Sequence, residues 1–213
     1  MSPSALDDDA CALRPAGMRR AAILACGGAF FALAGPAPAH AQSIVSEVQL
    51  GLLYHDVPIL SSQKEHGVDF NGQLDFVSPV PQSAVAGISP ALRWLLTPRP
   101  AIGLSVNSAG YTSQAYLAAV WTADLADDVF RPGDGLFFSF GFGPGFNNGH
   151  VSSTRDDEKS LGSNILFHET LDLGYRITPR WNVSMFFDHS SDAGITTRNE
   201  GLDDLGLRVG LMF

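Results

Sequence analysis

Three residues near the carboxyl end of the chain could together hydrolyse an ester. His189 and Ser191 lie two positions apart, and Asp203 follows after a polar, glycine-containing stretch. A serine hydroxyl becomes a nucleophile when a histidine accepts its proton and a carboxylate orients that histidine. The sequence therefore contains the nucleophile, the base and the acid of a serine hydrolase, provided that the fold brings them together.

The segments that carry these residues alternate between apolar and polar side chains. Every second residue from Trp181 is apolar until His189 and Ser191 are reached, and a second alternating set runs from Asp203 to Phe213. Successive side chains of a β-strand point to opposite faces. We therefore expect the histidine, the serine and the aspartate on an apolar, lipid-type face, with His189 and Ser191 about 6.6 Å apart along the strand.

Parity selects the acid among the nearby carboxylates. Asp203 falls on the same face as His189, whereas Asp204 points inward and Glu200 lies in a loop. Glu169, on the lipid face of the preceding strand and beside Phe187 in the predicted register, is the runner-up. The alternative for all of these residues is that they are ordinary polar residues of the headgroup zone, without catalytic roles.

Alternation recurs along the chain in segments of the length that crosses a bilayer as a β-strand. Closing such strands into a barrel pairs every backbone group, as the bilayer interior requires. The predicted fold class is all-β, an eight-stranded antiparallel transmembrane β-barrel. Between the second and third strands, Ala91–Leu96 is either a short helix or an additional half-strand. The predicted strands are 44–55, 67–77, 101–109, 112–124, 135–146, 162–177, 180–191 and 202–213.

Loop lengths predict how the barrel is oriented. The short Thr178-Pro179 turn is typical of a periplasmic turn, whereas the longer loops near 56–66, 147–161 and 192–201 are expected outside. Leu96-Thr97-Pro98-Arg99 resembles Ile177-Thr178-Pro179-Arg180, which assigns both turns to one rim. The candidate catalytic residues are therefore predicted at the outer rim of the bacterial outer membrane.

The amino-terminal region has the features of an export signal. A basic start at Met18-Arg19-Arg20, an apolar core and Ala39-His40-Ala41 predict a signal peptide over 18–41, preceded by an upstream extension, 1–17. The barrel would then occupy 42–213 and contain no cysteine, because Cys11 and Cys26 precede it, which excludes disulfides and thiolate chemistry. The net charge of −9 disfavours nucleic acid as a partner.

No cofactor is expected from the sequence, and no metal site. His55, His66, His150 and His168 are scattered along the chain without the spacing that metal ligands usually have. The predicted hydrolysis needs neither.

The region Phe167–Phe213 resembles the outer-membrane lipid A 3-O-deacylases, a PagL-like family. The family pattern is H-x-S-N-[AG] followed by N-x-G-x-[ED], and this chain has His189-Ser190-Ser191-Asp192-Ala193-Gly194 and then Asn199-Glu200-Gly201-Leu202-Asp203. The resemblance implies that His189 is the base, Ser191 the nucleophile and Asp203 the orienting acid. It also singles out Asn199, and Phe167, which the predicted register sets beside His189.

Two positions depart from the family pattern. Asp192 stands where asparagine is usual, and a carboxylate cannot donate to an oxyanion, so backbone N–H groups between Asp192 and Gly194 would have to do so. Asp203 is one methylene shorter than the commoner glutamate.

The resemblance implies a multi-pass outer-membrane enzyme that removes the ester-linked 3-position acyl chain of lipid A, with lipopolysaccharide and outer-membrane lipid as its partners. Two alternatives stay open from the residues alone. One is a non-enzymatic barrel with an adhesion or envelope-stabilising role. The other is a soluble, periplasmic lipid-binding barrel, which would need an apolar interior.

Overall fold

A computed structural model describes residues 43–213, so the predicted signal peptide (18–41) and the upstream extension (1–17) lie outside the described residues. Eight antiparallel strands pair in chain order, and the last strand pairs with the first to close a barrel. The predicted eight-stranded barrel is confirmed, with strand ends within a few residues of those expected. The strands are β1 Val45–Tyr54, β2 Val68–Phe76, β3 Arg99–Asn107, β4 Gln114–Asp127, β5 Gly135–Asn147, β6 Ile165–Arg176, β7 Trp181–Ser191 and β8 Leu202–Met212.

Side-chain alternation separates the two faces of the barrel wall. On β3, Ile102, Leu104 and Val106 are exposed on the outside, whereas Ser105 and Asn107 are buried inside. The other strands repeat this arrangement, so that an apolar belt surrounds the barrel. An apolar exterior around a closed sheet is the arrangement that a bilayer requires.

The interior is filled by polar and aromatic side chains around Arg208. Its guanidinium group donates to Asp172 and, over 3.0 Å, to Gln73 Oε1, and it lies 3.7 Å above the ring of Phe186. Side chains are expected to fill the interior of an eight-stranded barrel. This polar interior contradicts the soluble lipid-binding alternative, which requires apolar side chains inside.

The loops at the two rims of the barrel differ in structure. The long β1–β2, β5–β6 and β7–β8 loops share one rim, and the connection between β2 and β3 at the other contains a 3₁₀ turn, Gln82–Val85, and a helix, α1, Pro90–Leu96. Of the two options for Ala91–Leu96, the helix is correct. The Ser89 hydroxyl caps it by accepting from Leu92 N over 3.4 Å. Within residues 43–213, neither helical segment has the length and apolarity needed to span a bilayer.

The register between β6 and β7 differs from the predicted one. Glu169, rather than Phe167, lies opposite His189, and Phe167 lies opposite Ser191. The prediction that Phe167 lies beside His189, and Glu169 beside Phe187, was therefore wrong. Phe167 and Glu169 thus have other cross-strand neighbours than predicted, but both remain on the predicted face of the strand.

The β6–β7 turn is consistent with the observed register. The backbone N–H of Ile177 donates to Trp181 O over 2.8 Å, so that Thr178, Pro179 and Arg180 all belong to the turn. The Thr178 hydroxyl accepts from Arg180 N and Trp181 N, over 3.2 and 3.0 Å. A three-residue turn therefore replaces the shorter Thr178-Pro179 turn that the sequence suggested, and it sets Ile177 opposite Trp181, in line with the observed ladder.

Candidate active site

His189 and Asp203 face each other across two neighbouring strands. They are register partners in the β7–β8 ladder, and His189 Nδ1 lies 2.5 Å from Asp203 Oδ1. The aspartate side chain is fully buried, whereas the histidine side chain is 19% exposed. An imidazole that donates from Nδ1 to a carboxylate keeps Nε2 free to accept a proton, which is the arrangement of a general base.

The second oxygen of Asp203 is held by the β1–β2 loop. Asp203 Oδ2 accepts from Leu60 N over 2.6 Å and from Ser61 N over 2.8 Å. Two backbone donors on one oxygen fix the carboxylate, so that its other oxygen points at His189. Sequence reasoning missed this loop, because backbone donors leave no mark on side-chain type.

A buried lysine from the β5–β6 loop secures the β1–β2 loop. Lys159 Nζ lies 2.7 Å from Asp56 Oδ1, and it donates to Ser61 Oγ over 2.9 Å and to Ser62 O over 2.6 Å. Lys159 and Asp56 are both completely buried. The lysine thus contacts the same serine whose backbone N–H holds Asp203.

Ser191 lies on the same outward face as His189, at the end of β7 and opposite Phe167. Among the hydrogen bonds of residues 43–213, none joins the Ser191 hydroxyl to the His189 ring. Catalytic hydrogen bonds are often long in enzymes without bound substrate and tighten when it binds. The structure therefore brings together the histidine and the aspartate, with the serine two residues away on their face.

Gly201 allows the β7–β8 loop to return close to the histidine. Its φ of +62° is a left-handed conformation, and a Cβ at this position would lie 3.2 Å from His189 Cε1. Glycine adopts this conformation without steric penalty. The glycine of the N-x-G-x-D segment therefore permits the approach of the loop to the imidazole.

Asp192 organises the loop that follows Ser191. Its carboxylate accepts from Gly194 N over 2.8 Å and from Thr196 N over 2.9 Å. Although burial by itself raises the pKa of Asp192, the hydrogen bonds from Thr196 and Gly194 lower it below its usual value. Asp192 is therefore a charged acceptor here, and Gly194 N–H, a predicted oxyanion donor, already has a partner.

Asn199 approaches the same loop from its far end. Asn199 Oδ1 accepts from Asp192 N over 3.1 Å, which occupies another of the backbone groups predicted as oxyanion donors. This contact leaves the amide nitrogen of Asn199 without an acceptor among the described hydrogen bonds. The side-chain N–H₂ of Asn199 is consequently a more available donor than the backbone of Asp192 or Gly194.

An apolar groove lies beside Ser191 on the outside of β5 and β6. Its volume is about 290 Å³, and Phe142 and Phe167 stack in it with their ring centroids 6.0 Å apart. Ile195 and Thr196 of the β7–β8 loop form another wall, next to Asp192. The groove has the apolar lining that an acyl chain needs, and Phe167 connects it to the serine.

Glu169, the runner-up acid, lies opposite His189 on β6. Its Oε2 atom is buried and has no hydrogen-bond partner among the residues that the structure describes. His189 Nδ1, in contrast, is already paired with Asp203 Oδ1. The geometry therefore favours Asp203 as the group that orients the imidazole.

Comparison with known proteins gives one family. The sequence model of the lipid A 3-O-deacylase (PagL) family matches residues 86–212, which include His189, Ser191 and Asp203. This chain belongs to the lipid A 3-O-deacylase family. The described barrel is therefore that of a family member, and His189, Ser191 and Asp203 are the residues at the positions of the motif quoted above.

Two relatives accompany the family match. The lipid A deacylase PagL of Bordetella bronchiseptica is 32% identical over 96 residues, covering 44% of this chain and 51% of the relative. The chain thus spans about half the length of that curated relative. The crystal structure of the outer membrane enzyme PagL aligns with a TM-score of 0.55 at 16% identity, covering 78% of this chain and 99% of that one. This structural likeness supports the fold.

Proposed function

We propose that this protein is an outer-membrane serine esterase that removes the ester-linked 3-position acyl chain of lipid A. The observation that carries the proposal is the His189–Asp203 pair, joined over 2.5 Å on the outward face, with Ser191 on that same face. Membership of the lipid A 3-O-deacylase family supplies the substrate class. Ionisable side chains beside an apolar belt are costly and commonly mark functional sites.

The reaction proceeds by acyl transfer to the serine. His189 Nε2 takes the Ser191 hydroxyl proton as the oxygen attacks the ester carbonyl carbon, and the tetrahedral intermediate collapses to an acyl-serine. The imidazolium returns its proton to the departing 3-hydroxyl of the sugar. Water, deprotonated by His189, then attacks the acyl-serine, and the fatty acid and free Ser191 are released. Asp203 stays ionised throughout and stabilises the imidazolium.

Asn199 is proposed to stabilise the oxyanion. Its Oδ1 is held by Asp192 N, which orients the side chain and leaves its N–H₂ group available to donate. A preorganised donor of this type typically contributes about 10²–10³ in rate. Asp192 and Gly194 then act indirectly, by shaping the loop that carries this amide.

Membrane lipid reaches the site from the side. The apolar groove beside Phe167 suits the acyl chain that is cleaved, and the long polar loops at the same rim suit a sugar headgroup. We assign this rim to the outer leaflet, because long loops of such barrels face outward and lipopolysaccharide resides there. The relative whose fold matches is itself described as an outer membrane enzyme.

A pair of neighbouring serines provides the test. Ser191→Ala removes the proposed nucleophile, whereas Ser190→Ala alters an inward-facing serine whose hydroxyl contacts His168 and Gln114. Each variant is expressed in cells that lack other deacylases, and their lipid A is measured by mass spectrometry. We expect Ser191→Ala to lose at least about 10³-fold in rate, and Ser190→Ala to retain deacylation.

Two outcomes would contradict the proposal. Loss of a 3-position acyl chain in the Ser191→Ala variant would exclude Ser191 as the nucleophile. Unchanged lipid A in cells that hold folded wild-type barrel in their outer membrane would instead favour the non-enzymatic, adhesive or envelope-stabilising alternative. Heat-modifiable migration on gels reports in both cases that the barrel is folded.

A further inference from the structure

A buried cluster of acidic side chains surrounds His55 inside the barrel, at the end nearest the long loops. His55 Nδ1 lies 2.9 Å from Asp69 Oδ2 and 3.2 Å from Asp204 Oδ1, and its Nε2 lies 3.1 Å from Glu65 Oε2. All four side chains have at most 1% of their surface exposed. Burial of several carboxylates together is costly unless a cation compensates their charge.

Asp188 adds a further carboxylate that has no hydrogen-bond partner among the described residues. It lies opposite Asp204 in the β7–β8 register, on the same inward face, and it is fully buried. Neither of its carboxylate oxygens has a hydrogen-bond partner among the described residues. The nearby cations are engaged elsewhere, Lys159 with Asp56 and Arg208 with Asp172. Asp188 thus adds buried negative charge to the cluster, and neither of these two cations pairs with it.

Three of these groups converge as metal ligands do. One ligand atom each from His55, Asp69 and Asp204 lies within 4.8 Å of the others. An imidazole nitrogen combined with carboxylate oxygens is a donor set that suits Zn²⁺ or Mn²⁺, whereas Ca²⁺ takes oxygen ligands. We propose that His55, Asp69 and Asp204 bind a divalent transition-metal ion, Zn²⁺ or Mn²⁺, and that Asp188 supplies compensating negative charge beside it.

The proposed ion has a structural role and no part in ester hydrolysis. Asp204 points into the lumen, whereas its neighbour Asp203 belongs to the outward site, so the barrel wall separates the ion from the reacting atoms. Asp204 Oδ1 also accepts from Asp56 N over 2.9 Å, at the start of the β1–β2 loop. An ion on Asp204 would therefore stabilise the base of the loop whose backbone holds Asp203.

Metal content and thermal stability test the proposal directly. The purified, refolded barrel is stripped with a chelator and then titrated with Zn²⁺ or Mn²⁺, with Ca²⁺ as a comparison. We expect a single tightly bound Zn²⁺ or Mn²⁺ per barrel by elemental mass spectrometry, release of protons on binding, and a higher Tm. Asp69→Asn should weaken metal binding about 10–100-fold or more.

Two further variants keep the test decisive if Asp69→Asn folds poorly. Asp188→Asn should also weaken binding, because it removes the compensating charge. Asp75→Asn changes a buried acid that pairs with Arg99 over 2.9 Å, and it should bind metal like the wild type. Absence of a bound ion, stabilisation by Ca²⁺ alone, or equal metal affinity in Asp69→Asn, Asp188→Asn and wild type would overturn the proposal. None of these readouts depends on deacylase activity.

Discussion

At the scale of single residues, Asp203 has two separate tasks for its two oxygens. Oδ1 pairs with His189 Nδ1, and Oδ2 accepts from the backbone N–H groups of Leu60 and Ser61. Both sides of the carboxylate must therefore be acceptors. Its short side chain is sufficient because the strand register sets it directly opposite the histidine.

We predict that Asp203→Asn loses most of the activity and keeps the fold. The amide oxygen of the substituted side chain can still accept from Leu60 and Ser61, which turns its N–H₂ group towards His189. The histidine must then accept at Nδ1 and carry its proton on Nε2, where it can no longer deprotonate Ser191. Deacylation rates measured on purified lipid A in detergent should fall about 10²- to 10⁴-fold.

Glu169→Gln is the matched control for this prediction. Glu169 also lies opposite His189, on the other neighbouring strand, but makes no hydrogen bond to it. Its replacement should leave the rate within a few-fold of the wild type. A larger loss of deacylation rate in Glu169→Gln than in Asp203→Asn would mean that Glu169, and not Asp203, orients the histidine.

At the scale of structural elements, the β1–β2 loop connects the outer loops to the catalytic pair. Lys159 holds this loop through Asp56 and Ser61, and the loop in turn holds Asp203. Lys64 joins the same loop to Glu200 over 2.7 Å, but that ion pair is partly exposed, 28% and 31%. The buried contact should therefore dominate the docking of the loop.

We predict that Lys159→Met releases the β1–β2 loop and lowers kcat more than it raises KM. Removing one partner of a buried ion pair leaves Asp56 as an uncompensated charge, which costs about 3–5 kcal/mol. Trypsin cleavage after Lys64 reports loop opening, and unfolding in urea reports stability. Asp56→Asn combined with Lys159→Met should recover part of the stability.

Lys64→Met provides the comparison for the loop. An exposed ion pair contributes at most about 1 kcal/mol, so this variant should keep wild-type stability and kcat. Opening of its loop is measured with a protease that does not require Lys64. A rigid, active loop in Lys159→Met would mean that the backbone contacts to Asp203 hold the loop without the lysine.

At the scale of the whole molecule, the barrel is stabilised from within by a polar network. Arg208 is completely buried and joins Asp172 and Gln73 from different strands, with Phe186 beneath its guanidinium group. The apolar belt faces outward, so these interior contacts replace the apolar core of a soluble protein. The stability of the barrel should therefore depend strongly on the balance of its interior charges.

We predict that Arg208→Met destabilises the barrel by about 3–5 kcal/mol, because Asp172 is left buried without its cation. Asp172→Leu added to Arg208→Met should restore most of that loss. Urea unfolding in detergent micelles measures both, and Arg176→Met, which breaks a partly exposed pair with Asp124, serves as the surface control. Equal stability of the single and double variants would contradict the charge-balance explanation.

Alternation in the sequence predicted the strands and, for most of them, which side chains face outward. Successive side chains of a strand point to opposite faces. In a membrane barrel the outward face is apolar and the inward face is polar, so the sequence alternates visibly. It therefore predicted the eight strands, and it put His189, Ser191 and Asp203 on one outward face. The polarity of each residue is enough for this prediction, because it depends only on whether that side chain faces lipid or the interior.

Contacts between distant segments were decided by the tertiary structure alone. The β6–β7 register lies two residues from the predicted one, so that Glu169 rather than Phe167 is beside His189. The backbone of Leu60 and Ser61 reaches Asp203 across the rim, and His55 meets Asp69 and Asp204 although nothing in their spacing indicates it. Such contacts depend on barrel closure and loop packing, which bring together residues far apart in the chain.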